Sequence, residues 1–171
     1  MSQHIFKAKL VLRKGKVGDM IKSTLCALAI TLVAAVVCFA AEDTIGLINE
    51  VKGKAFVIRD GLQCAPEKGF KLKINDTLKT GPDSAIGVTF KDETVLSMGA
   101  NSELAVNEYT FNPDQGQFSF VIKMIRGTAA YMSGLIAKIS PESAHIITPS
   151  ASIGIRGTKM VIEVENDKGI L

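Results

Sequence analysis

The sequence predicts an all-β fold of many short strands, and three observations predict it. Val, Ile, Thr and Phe are plentiful, against no Trp and two Tyr (Tyr109 and Tyr131) in 171 residues, a composition suited to pleated, half-buried surfaces. Short runs alternate apolar and polar side chains, the period-two signature of a strand with one buried face. Turn residues separate these runs at intervals of about 8 to 12 residues, which favours a twisted, solenoid-like or sandwich arrangement.

The N-terminal segment, residues 1–41, stands apart. Six of the 20 Lys and Arg (Lys7, Lys9, Arg13, Lys14, Lys16, Lys22) and one of the 17 acids (Asp19) lie in residues 1–22. Fourteen bases and sixteen acids remain from Glu42 onward, so the formal +3 belongs to the front end and the rest is near-neutral. The run Ser23 to Ala41, STLCALAITLVAAVVCFAA, is uncharged. A basic flank, a hydrophobic helical core and a small-residue exit make a signal peptide, with the cut after Ala40. Left uncut, about 19 apolar residues also suffice to cross a bilayer; in both cases the basic flank stays inside and the remainder faces outward. Met20 opens a more ordinary leader than Met1 and is read as the true start. Cys38 is disfavoured as a lipidation site, because Ala-Val-Val before it lacks the expected Leu and small residue. Residues 42–171 form the second unit and are expected in the periplasm or outside the cell, membrane-anchored only if the leader is retained.

Along that unit, GKAFVIRDG places Ala55, Val57 and Arg59 on one face and Phe56 and Ile58 on the other. AIGVTF, TVLSM, SELAVNEYTF, GQFSFVIKMI, HIITPSASIGI and GTKMVIEVE follow as further strand runs. Turn signals fall at Arg59-Asp60-Gly61, Gly81 to Ser84, Lys91-Asp92-Glu93, Met98 to Asn101 and Asn112-Pro113-Asp114. Residues 126–140 carry a helical spacing (Ala129, Met132, Ile136, Ile139) that Gly134 interrupts, and are read as a strand followed by a turn.

Catalysis needs a constellation, and this unit offers little from which to build one. It has one histidine, His145, expected at a strand edge in a structural role, and one cysteine, Cys64, expected to be inert and semi-buried, with pairing to a partner as the alternative. One His and one Cys do not assemble the usual N and S ligands of zinc. There is no Gly-x-Ser-x-Gly elbow and no phosphate-binding Gly-x-x-x-x-Gly-Lys loop. Asp92-Glu93 is read as a solvated turn. No catalytic, cofactor or metal site is expected, and no enzyme. The near-neutral charge argues against nucleic acid, and Gly154-Ile155-Arg156-Gly157 matches the four-residue clamp of KH domains only weakly.

The candidate site is the stretch TPSASIGIRGT, with Thr148, Pro149, Gly154, Arg156, Gly157 and Thr158. Thr148-Pro149 ends a strand, since proline cannot donate to a ladder. Ala151, Ile153 and Ile155 are expected to alternate inward, and Gly154 and Gly157 to supply backbone freedom at a turn. The structural role is favoured over ligand contact, so Arg156→Ala is expected to lower the melting temperature without selectively removing partner binding. The Arg-Gly-Thr of 126–128 repeats that of 156–158 and suggests a recurring structural corner.

The unit resembles FecR-domain proteins over residues 45–163. The resemblance is carried by GLINEVKGKAFVIRDG, LKINDTLKTGPDSAIGVTFKDETVLSMGANSEL, RGTAAYMSGLIAK and TPSASIGIRGTKMVIEV. Two turns depart from the family pattern: Asn75-Asp76 stands where Gly-Asp is usual, and Asp92-Glu93-Thr94 where Asp-Gly-Thr is usual. Asn tolerates a left-handed backbone; Glu93 does so at greater cost, so its turn is expected to differ in type. Transport-regulating members of the family have a cytoplasmic anti-sigma region, one membrane span and a periplasmic signalling domain. The resemblance therefore implies a stand-alone exported form of that domain, acting on an unknown envelope protein. The alternatives are a carbohydrate- or peptidoglycan-binding domain, disfavoured by the absence of Trp, and a single-span regulator. Exposed β-edges are the expected docking surface.

Overall fold

The computed structural model describes residues 44–157 and 159–165. The leader, with Met20 and Cys38, and the position of Thr158 lie outside them. The described chain is all-β with one short helix. Strands β1 (Gly46–Lys52), β2 (Ala55–Arg59), β3 (Leu62–Cys64), β4 (Lys71–Leu72), β5 (Thr77–Thr80) and β6 (Ala85–Phe90) come first. β7 (Val95–Met98), β8 (Glu103–Asn112) and the long β9 (Gln117–Met132) follow. Helix α1 (Leu135–Ile139), β10 (Ala144–Ile147), β11 (Ser152–Gly154) and β12 (Lys159–Val164) close the domain.

The strands make one curled sheet whose two halves share β9. One half runs β4-β1-β6-β7-β9-β12, the other β3-β2-β5-β8-β9-β10-β11. The pairings are antiparallel except that of β10 with β9. β7 and β8 together pair antiparallel with β9 almost from end to end, from Val95 opposite Met132 to Asn112 opposite Gln117. Their alternation shifts phase where the ladder does. Leu104 and Val106 point inward, Asn107 is the extra residue of a bulge, and Tyr109 resumes the buried face. In β9 the buried positions change from Phe120, Ile122 and Met124 to Ala129 and Tyr131, across Gly127.

Gly127 is where β9 passes from one half to the other. Its φ is +86°, and a Cβ there would lie 2.6 Å from Ser102 Cα. The chain also crosses between halves at residues 53–54, 81–84 and 99–102, and hydrogen bonds join these crossings into a seam. Lys54 N–H donates to Ser84 Oγ (2.8 Å), and Gly81 N–H to the Lys54 carbonyl (2.8 Å). Thr80 Oγ1 donates to the Gly99 carbonyl (2.6 Å) and accepts from Ser102 N–H (2.9 Å). Ser102 Oγ in turn donates to the Thr128 carbonyl (3.0 Å) and accepts from Thr128 N–H (2.9 Å). Thr80, Ser84 and Ser102 are buried, and these bonds satisfy hydroxyls that would otherwise be costly inside the protein. Over the core, Phe120 meets Phe90 edge-on at 5.1 Å and Tyr131 at 5.9 Å, so aromatic packing ties the two halves together.

Several expectations are corrected. Residues 135–139 are helical rather than a turn, because the buried Asp92 holds the start of α1: Leu135 N–H donates to its carbonyl (2.7 Å) and Ile136 N–H to its carboxylate (3.4 Å). Asp92 is therefore no solvated turn residue; only Glu93 is exposed. Glu93 takes φ +68°, the same left-handed value as Asn75, so it accepts the strain and the turn keeps its positive φ. Cys64 is exposed on the edge strand β3. His145 sits half-buried in β10, which is flanked by β9 and β11 rather than lying at the sheet edge. The two Arg-Gly pairs share left-handed glycines, at +86° and +54°, but only Gly127 is sterically enclosed.

Glu93→Gly is expected to stabilise the domain by about 1 kcal/mol, by relieving a left-handed side-chain residue. Gly127→Ala is expected to cost at least about 2 kcal/mol, because it adds both strain and a clash with Ser102. Urea titration of the full chain reads both; an equal midpoint for Glu93→Gly and wild type would show that the turn stores no such strain.

Candidate functional site

The six motif residues do not converge. Thr148 closes the β10–β11 hairpin: its N–H donates to the Ala151 carbonyl (2.8 Å), and Ala151 N–H donates to its Oγ1 (3.0 Å). Pro149 and Ser150 form the exposed tip, and Ala151 is exposed instead of facing inward, because the tight turn lifts it off the sheet. Ile153 is half-buried and Ile155 buried, as the alternation requires. Thr148, Pro149 and Ser150 border a groove of about 400 Å³ with Glu163, Val164 and Glu165. Gly154 lies in extended β11 opposite His145, with open space around it, so no turn depends on it. Arg156 is exposed, and Gly157 alone of the glycine pair has a left-handed backbone.

A second surface is more apolar. β12 pairs with β9 alone among the described residues and forms an edge of its half-sheet. Met160, Ile162 and Val164 turn toward the core; Lys159, Val161 and Glu163 face out. Val161 is 77 % exposed, and Met132 opposite Lys159 is 40 % exposed. With Val95, Ser97 and Ala130 they line an open groove of about 350 Å³ on the outer face.

A family model described as FecR protein matches residues 76–171, more than half of the chain. The chain belongs to the FecR family. This is a family of signalling and regulatory domains. The match begins at Asp76, so the resemblance traced through residues 45–75 lies upstream of it, in strands hydrogen-bonded to the same sheet. No curated protein and no solved structure matches the chain.

The FecR domain buries two carboxylates, both in the turns where the sequence departs from the usual pattern. Asp76 accepts a two-pronged contact from Arg59, Nε to Oδ1 at 2.8 Å and Nη2 to Oδ2 at 2.7 Å, and a bond from Lys73 N–H (2.8 Å). Arg59 also donates to the Lys71 carbonyl (2.8 Å) and lies 5.4 Å from the Phe70 ring centre. The hydrogen bonds that Arg59 donates to Asp76 raise the guanidinium pKa further. Asp92 Oδ2 accepts from Thr94 Oγ1 (2.7 Å), and Tyr109 OH accepts from Asp92 N–H (2.9 Å). Burial, then the Asp92 charge, pushes the Tyr109 hydroxyl pKa well up. Burial likewise pushes Tyr131 up to about 12; its hydroxyl faces Thr94 without a hydrogen bond of good geometry. Both carboxylates are sealed from solvent and spent on backbone and side-chain donors, so neither is placed to meet a substrate. Among the described residues no group of three His, Cys, Asp or Glu is arranged to hold a metal ion.

The motif-based reading missed the β12 groove and both carboxylate clusters. One signal for the groove was present: in Lys159-Met160-Val161-Ile162-Glu163, Val161 is an apolar residue on the polar face. For the carboxylates the local signal is only the turn each one holds, through Lys73 N–H and Thr94 Oγ1; their burial depends on partners 17 and 44 residues distant.

Asp76→Ala is expected to cost about 2 kcal/mol, by leaving the Lys73 N–H without its acceptor and loosening the partly exposed Arg59, read by urea denaturation. Tyr131 has a folded pKa of about 12 against about 10 unfolded. The folded state therefore holds its proton more tightly, and that stability is complete below pH 10 and lost as pH rises toward 12. Tyr131→Phe should match wild type at pH 7 and show a shallower fall in melting temperature from pH 10 to 12; parallel falls would count against this assignment.

Proposed function

We propose that this FecR domain is an exported, non-enzymatic binding and signalling module of the bacterial cell envelope, acting through protein–protein contact. The observation that carries the proposal is the open edge of β12 beside the apolar groove of Val95, Met132 and Val161. An unpaired edge offers backbone donors and acceptors to an incoming strand, and a flanking groove takes its alternate side chains. The leader pattern of residues 1–41 supports export, and the family supports signalling. The exposed part of the groove is aliphatic, which suits peptide side chains better than sugar rings, whose binding platforms are aromatic faces.

Val161→Arg is expected to abolish capture of protein partners by the full chain in cells. Its stability should stay within the small range typical of exposed substitutions, about 0.5 kcal/mol. A photo-crosslinking residue at position 161 reads the contact directly. Absence of any protein adduct, with the variant folded, would refute docking at this edge.

A further inference from the structure

Among the described residues β12 is open on one side, and its outward residues set opposite charges, Lys159 and Glu163, at equal distances either side of Val161. Two antiparallel copies centred on Val161 place Lys159 of each opposite Glu163 of the other, with the two valines face to face. Opposed residues in an antiparallel pair lie on the same face of the sheet, about 5 Å apart at Cβ, where opposite charges attract and β-branched pairs pack. A one-residue slip would set the exposed face of one copy against the core face of the other, so the pattern also selects its register. The same two-fold axis joins the two Val161 edges and carries both grooves, with Met132 and Val95, onto one continuous outer surface. Natural edges avoid such pairing with charged side chains, lysine above all, and with bulges or proline. β12 has no bulge or proline, its charges Lys159 and Glu163 are matched rather than opposed in this pairing, and an apolar residue 77 % exposed stands at its centre.

We infer that the protein seated on this edge is a second copy of the chain, paired β12 to β12 across a two-fold axis through Val161. This rests on the docking reading above and names its occupant. The contact is isologous, the same patch on both copies, and it closes as a dimer.

Cysteine crosslinking in cells tests it, using the full chain with Cys64→Ser as the blank. Val161→Cys should give a disulfide dimer on mild oxidation, because opposed residues fall within disulfide range. Glu163→Cys should not, since each copy's residue 163 would lie about 14 Å from its counterpart. Adding Lys159→Glu to Val161→Cys should lower the dimer yield about tenfold by opposing like charges. Adding Lys159→Glu and Glu163→Lys together should restore it. Both residues are exposed, and an unchanged melting temperature for each variant keeps folding out of the comparison. A Val161→Cys adduct only with a protein of another mass would overturn the self-pairing and leave the docking edge standing. No adduct of any mass would overturn both, and equal crosslinking at 161 and 163 would overturn the register.

Discussion

A seam of buried hydroxyls lets one sheet serve as both walls of this domain. A sheet that curls over its own core must bend where its strands cross from one half to the other. Bending strips backbone groups of their ladder partners, and in a dry interior that is costly. Here Thr80 and Ser84 flank one crossing and Ser102 stands at the next, and each supplies a hydroxyl that both donates and accepts. Ser102 reaches across to both backbone groups of Thr128, beside the glycine where β9 turns. Gly127 lets the sixteen-residue β9 bend there, and the Ser102 hydroxyl satisfies the backbone groups of Thr128 beside the bend.

The two sealed aspartates do related work away from the seam. Asp76 organises the turn before β5 and draws in Arg59 from β2, across strands already paired in the sheet. Asp92 organises the turn between β6 and β7 and meets the first N–H groups of α1, so five residues, too few to sustain a helix alone, are held as one. Both sit next to a non-glycine residue with left-handed backbone, Asn75 and Glu93. The strain at those neighbours is sustained because the carboxylates over-determine the turns around them. These positions were first visible as departures from a family pattern, and their chemistry is that of scaffolding.

The surface left for binding follows from the same architecture. Curling the sheet buries one face completely and leaves free edges at the ends of each half. Of the terminal strands, β3, β4 and β11 are two or three residues long, whereas β12 presents six beside an aliphatic groove.

The strands β6, β8, β9 and β12 were legible in the sequence because alternation is a local code: residues two apart share a face, and the core claims one face. Even the bulge at Asn107 and the bend at Gly127 are written there as breaks of phase. The short edge strands β3 and β4, the helix at 135–139 and the burial of Asp92 were not, since each depends on partners far along the chain. The motif of Thr148 to Thr158 looked like one site because its residues are consecutive, while the folded chain sends Thr148 and Pro149 to a hairpin tip and Gly154 into a strand. Within the regular strands the sequence by itself determined which side chains face in and which face out, down to the exposed Val161. Only the tertiary structure decided that β12 lies at an edge, because an edge is defined by the hydrogen bonds a strand lacks, and those are set by every other strand in the sheet.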